Sequence, residues 1–119
     1  MIGAIAKLKI KDGERDNFIE AMGNLVKAVA ENEPDCFYYE MHETDDPLTI
    51  MMIELYQTEE AHANHTQTEH FATLGMALAP FLDGAPEITV HKSVNWKKLI
   101  YSLLKREDRA GWPPARFDR

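Results

Sequence analysis

The run Ile50-Met51-Met52-Ile53 limits what this chain can fold into more than any other feature. Successive side chains of a strand point to opposite faces, and here both faces are apolar. The neighbouring stretch, residues 36–43, has the same character, with Phe37, Tyr39 and Met41 expected on one side and Cys36 and Tyr38 on the other. Asp45, Asp46 and Pro47 between the two stretches are turn formers, so the pair reads as a hairpin. Helices packed on such a sheet cover one side only. Burying one large apolar side chain contributes about 1.5–3 kcal/mol, so the second side needs its own cover, and a second subunit packed sheet to sheet is the simplest one.

The rest of the chain supplies a matching frame. Residues 2–10 alternate Ile2, Ala4, Ala6, Leu8 and Ile10 against Gly3, Ile5, Lys7 and Lys9, the period of a strand whose apolar face is partly small. Asp12 and Gly13 turn the chain, and Phe18, Met22, Leu25, Val26 and Val29 then recur at helical spacing until Pro34 stops the run. Thr58 is placed to cap a short helix to about Gln67. Phe71, Leu74, Leu78, Phe81 and Leu82 keep helical spacing in a second piece that contains Gly75 and is ended by Pro80, Gly84 and Pro86. Residues 87–94 put Ile88, Val90 and Val94 on one strand face. Strand, helix, strand, strand, helix, strand is the order of a ferredoxin-like α+β fold, a βαββαβ antiparallel sheet with helices on one face.

Composition narrows the partners. The 119 residues carry 20 acidic and 13 basic side chains, net -7, a sign that repels phosphate backbones, so no nucleic acid is expected. The single cysteine, Cys36, cannot form an internal disulfide, and no apolar stretch is long enough for a bilayer. A cytoplasmic location is the expectation, with no membrane partner. The charge is uneven: residues 1–94 hold 17 acidic and 6 basic side chains, net -11, and residues 95–119 hold 3 and 7, net +4. The division is therefore an acidic domain, 1–94, and a basic extension, 95–119, in which Trp96, Leu99, Ile100, Leu103 and Leu104 form a helical stripe among Lys97, Lys98, Lys105 and Arg106. That C-terminal amphipathic helix is expected to dock on the protein's own dimer.

The middle of the chain carries a resemblance. Glu54, Tyr56, Ala61, His65, His70 and Phe71 match a pattern of a strand ending in Glu-x-aromatic, then Ala-x-x-x-His, then His-Phe, and Glu33-Pro34-Asp35-Cys36 is similar to a Glu-Pro-Gly-Cys turn. This resembles the antibiotic biosynthesis monooxygenase family over residues 2–94. The resemblance implies a dimeric α+β barrel. It also implies activities that include cofactor-free quinol monooxygenation, haem degradation and isomerisation of a phosphorylated signalling sugar. The haem degraders carry a tryptophan on the second helix, whereas Trp96 and Trp112 here lie in the extension, so haem cleavage is not expected.

Cofactor-free oxygenation needs a dry pocket, a base and a hydrogen-bond donor, because a deprotonated hydroquinone or phenol can itself reduce oxygen. A phenol of pKa about 10 facing a histidine of pKa about 6.5 is uphill by roughly 4.8 kcal/mol, so the base needs help from a carboxylate. His65 lies four residues after Ala61 and is expected to point inward as base or orienting group. Glu54 on the nearby strand is expected to raise its basicity, with Tyr56 or Tyr39 donating to the developing oxyanion. Met52, Phe71, His70 and Tyr39 are the expected substrate contacts. His62, His65 and His70 lack the spacing of a metal motif, so neither metal nor other cofactor is expected, and Cys36 reads as a core residue. The expected partners are a second copy, a small aromatic substrate and oxygen. An isomerase of a phosphorylated sugar-like signal and a non-catalytic module that holds an aromatic ligand are the alternatives.

Overall fold

The computed structural model describes residues 1–94. Strand β1 (Ile2–Lys9) leads to helix α1 (Arg15–Asn32), the hairpin β2 (Cys36–Glu43) and β3 (Thr49–Tyr56), helix α2 (Glu59–His65), a π-helical turn (Phe71–Gly75), a 3-10 turn (Ala79–Phe81) and β4 (Glu87–Lys92). The strands form one antiparallel sheet in the order β2-β3-β1-β4, the expected ferredoxin-like arrangement. The amphipathic stripe of residues 96–106 lies outside the described residues.

One sheet face is sealed. Ile2, Ala4, Ala6 and Leu8 of β1 stand beside Tyr56, Glu54, Met52 and Ile50 of β3, and all eight are buried. Phe18, Met22, Leu25 and Val29, the inward stripe of α1, complete the same core. The opposite face carries Ile5 paired with Ile53, flanked by Met51 and Leu55, all half-buried. Both faces of β3 are therefore apolar, and α1 and α2 serve only one.

Two expectations need correction. Strict alternation along β2 fails at its start, where a bulge between Cys36 and Tyr38 takes up Phe37, so Cys36 and Tyr39 share the buried face and Tyr38 takes the other. The helix expected over residues 71–82 is instead a five-residue π-helical turn followed by a separate 3-10 turn. Pro80 lacks the amide a continuing helix would use, and the backbone beyond it is committed to the end of β1 and the residues just after it: Phe81 accepts from the Lys11 amide, and the Asp83 amide donates to Lys9. Gly75, the last residue of the π turn, lies against the ring of Phe71.

The cap of α2 is as the sequence suggests. Thr58 has extended backbone, and its hydroxyl accepts from the Ala61 amide at 3.0 Å, which fixes the start of the helix that carries His65. Replacing Thr58 by alanine is expected to lower unfolding free energy by about 1 kcal/mol in urea denaturation. An unchanged midpoint would show that the cap does not hold α2.

Candidate active site

The cavity under the helices begins with small residues. The small side chain of Ala6 on β1 faces the space between the sheet and the helical layer, and a cavity of about 470 Å³ opens there. Its walls include Ala6, Tyr39, Met52, Glu54, His65 and Phe71. Most of the lining is apolar, and the volume suits a substrate of one to three rings. Lysine and arginine are absent from the wall among the described residues.

His65 closes α2 and is 4% exposed. Its ring is boxed by Phe71, Tyr39 and Tyr56 at centroid distances of 4.9, 5.0 and 5.7 Å. The carboxylate that meets it is Glu33, at the C-terminal end of α1, with both oxygens 3.0 Å from Nδ1. His70 reaches the same carboxylate through Nε2. Burial pushes the Glu33 carboxyl up, but the hydrogen bonds from His65 and His70 and their charges outweigh it and hold Glu33 below the usual carboxylate range. An ionised carboxylate only accepts, so Nδ1 of His65 carries the hydrogen, and in the neutral form of such a ring the lone pair lies on Nε2.

Glu54 is placed differently from the expectation. It accepts a hydrogen bond from the Tyr56 hydroxyl at 2.8 Å, so it is Tyr56 rather than His65 that it binds, and its influence on His65 is through charge alone. Burial raises its pKa, against the lowering effect of Tyr56 and the nearby histidines. Tyr56 is fully buried and its hydroxyl is committed to Glu54, which leaves Tyr39 as the tyrosine on the cavity wall. Burial and the neighbouring carboxylates raise both tyrosine pKa values, so both keep their protons. Of the expected contacts, Tyr39, Met52 and Phe71 line the cavity, whereas His70 turns to Glu33.

Glu33 is the residue the sequence reading did not assign to the site. It lies 32 positions from His65 and at a helix end, where periodicity carries no information about partners. The Glu-Pro turn that stops α1 was the available signal. The thiol of Cys36, pushed up to about 12 by burial, is a core group and no nucleophile. Among the described residues no group of three or more His, Cys, Asp or Glu is arranged to hold a metal ion, and no helix is long and apolar enough to cross a membrane.

The depressed Glu33 pKa has a definite sign in stability. The ionised group stabilises the fold above the ordinary carboxylate value of 4.5, and that stabilisation is lost as pH falls through the lower folded value. Glu33→Gln should therefore be less stable than the parent at pH 6, with the gap narrowing below pH about 4.5 in urea titrations. A gap independent of pH would contradict the ionised pairing.

Comparison with known proteins agrees with this architecture. The sequence model of the antibiotic biosynthesis monooxygenase family matches residues 1–74. A solved Caulobacter crescentus protein, described as a candidate antibiotic biosynthesis monooxygenase, is 29% identical with a TM-score of 0.76, covering 79% of this chain and 90% of that one. A Nitrosomonas europaea protein of like description, 21% identical, has a TM-score of 0.72 and covers 79% of this chain and 99% of its own. A conserved Methanosarcina mazei protein, 23% identical, has a TM-score of 0.73 over 78% and 92% of the two chains. The last two show the fold alone. No functionally curated protein matches the chain. With the family matched over well over half its length and the same sheet and helices in place, this chain belongs to the antibiotic biosynthesis monooxygenase family.

Proposed function

We propose that the domain formed by residues 1–94 is a cofactor-independent monooxygenase that oxidises a hydroquinone or polycyclic phenol with molecular oxygen. The observation that carries the reading is an apolar cavity of about 470 Å³ with a carboxylate-held imidazole in its wall. Among the described residues the wall offers no lysine or arginine to pair the charge of a phosphorylated sugar, so the isomerase reading has less support.

In the proposed reaction the substrate hydroxyl gives its proton to Nε2 of His65, and the imidazolium that forms is balanced by Glu33. The C-terminal end of α2 favours the same charge. Tyr39, held protonated, donates to the phenolate oxygen, while Glu54 is held by Tyr56 beside it. The phenolate passes one electron to oxygen, and the radical pair recombines to form a carbon–oxygen bond. The imidazolium returns its proton to the outer peroxide oxygen, and the O–O bond then breaks as that oxygen leaves with the hydrogen of the same carbon as water, which restores neutral His65. One hydroquinone and one dioxygen give one hydroxylated quinone and one water.

Oxygen uptake with menadiol tests the reading. The parent protein should exceed the spontaneous rate and place one labelled atom from ¹⁸O₂ in the product, and His65→Ala should lower turnover by about 10²–10⁴-fold. Uptake equal to the spontaneous rate, or unaffected by His65→Ala, would contradict it.

The second half of the proposal is a homodimer working in the cytoplasm. Ile5, Met51, Ile53 and Leu55 supply the apolar centre of the open sheet face, which a second sheet would cover. Sedimentation should give twice the 13.6 kDa chain mass, and Ile53→Asp should shift it to one chain. A protomer mass for the parent protein at micromolar concentration would contradict the dimer.

A further inference from the structure

Two polar groups on the cavity wall lack a full set of partners. Glu54 and Tyr39 stand opposite each other on β3 and β2, both line the cavity, and each is 8% exposed. One oxygen of Glu54, Oε1, accepts from the Tyr56 hydroxyl at 2.8 Å, and among the described residues nothing donates to the other, Oε2. The Tyr39 hydroxyl has no hydrogen-bond partner among them either, and it does not bond to the carboxyl across the strand pair.

The strand itself gives no reason for a carboxyl here. Ile50, Met52 and Tyr56 are the other inward residues of β3, so an apolar side chain would fit the pattern at position 54. A buried carboxyl costs stability unless its oxygens are paired, and one hydrogen bond leaves half of this one unsatisfied. Nor does Tyr56 explain it, since phenylalanine beside an apolar neighbour would fill the same space with no polar atom to pair.

We propose that Glu54 is a specificity-determining residue whose Oε2 receives a second, unreacting hydroxyl of the ligand, while His65 and Tyr39 hold the hydroxyl that reacts. The ligand is then an aromatic diol. A monophenol of the same ring system would leave Oε2 buried without a partner, the kind of loss by which a site built for a hydroxyl rejects the analogue that lacks it. A hydroxyl both donates and accepts, so it pairs with the carboxylate and also with the neutral acid that burial favours. The proposal rests on reading the cavity as the substrate site and not on the oxygenation step.

Anaerobic calorimetry on the full chain tests it without any oxidation, with 1-naphthol and its 1,2-, 1,3- and 1,4-dihydroxy counterparts as probes. The best diol should bind the parent protein about tenfold tighter than 1-naphthol, or more. Tyr56→Phe removes the partner of Oε1 and leaves Glu54 in place, so the advantage should persist. Adding Glu54→Leu to Tyr56→Phe leaves neither member of the pair polar, and the advantage should fall below about threefold while 1-naphthol binds as well as before. A smaller than tenfold advantage for every diol in the parent protein, a comparison that needs no variant, would overturn the proposal. So would an advantage that survives in the double variant. Oxygen uptake from menadiol without a diol preference would remove the role of Glu54 alone; a diol preference without oxygen uptake would remove the oxygenase reading and leave that role standing.

Discussion

One carboxylate, Glu33, organises the chemistry of this fold. It stands at the C-terminal end of an 18-residue helix, where the helix dipole disfavours negative charge, and in a partly buried position, which disfavours it again. Hydrogen bonds from His65 and His70 overcome both costs. The result ties the end of α1 to the end of α2 and to the residue before the π-helical turn, three segments that meet nowhere else through side-chain charge. Remove the carboxylate and the imidazole at the cavity loses its orientation, its tautomer and its counter-charge together.

The cavity beside it depends on what β1 does not contain. Ala6 takes a position where a larger β-branched residue would reach into the space under the helices, and Met52, Tyr39 and Phe71 are among the walls that remain. Few polar groups face inward, so each acts in a medium of low polarity where a proton transfer is felt more strongly than in water. That is the setting an oxygen-reducing phenolate requires. It also explains why the wall says so little about ring shape: apolar contact fixes volume and leaves identity open.

Much of this was legible in the chain. The boundaries of β2 and β3 and the cap at Thr58 follow from period and turn chemistry, and residues 53–71 carry the family likeness that the comparisons bear out. Misreadings came where local pattern does not decide. Helical spacing over residues 71–82 is shared by α, π and 3-10 backbones, and only the tertiary hydrogen bonds to β1 choose among them. The bulge at Phe37 shifts side chains by one place without leaving a mark in composition. Glu54 was expected to raise the basicity of His65 from the neighbouring strand; it acts there through charge only, its hydrogen bond going to Tyr56 two residues away, and the carboxylate hydrogen-bonded to His65 comes from the far end of another helix.

The account stands on the protonation pattern of His65. Long-range ¹H–¹⁵N correlation spectra of ¹⁵N-histidine-labelled protein at neutral pH read it directly. The prediction is a protonated Nδ1 hydrogen-bonded to Glu33 and a pyridine-like Nε2, with the pattern collapsing to the ordinary tautomer mixture in Glu33→Gln. A His65 that carries its hydrogen on Nε2 in the parent protein would contradict it, because such a ring has no lone pair to offer the cavity.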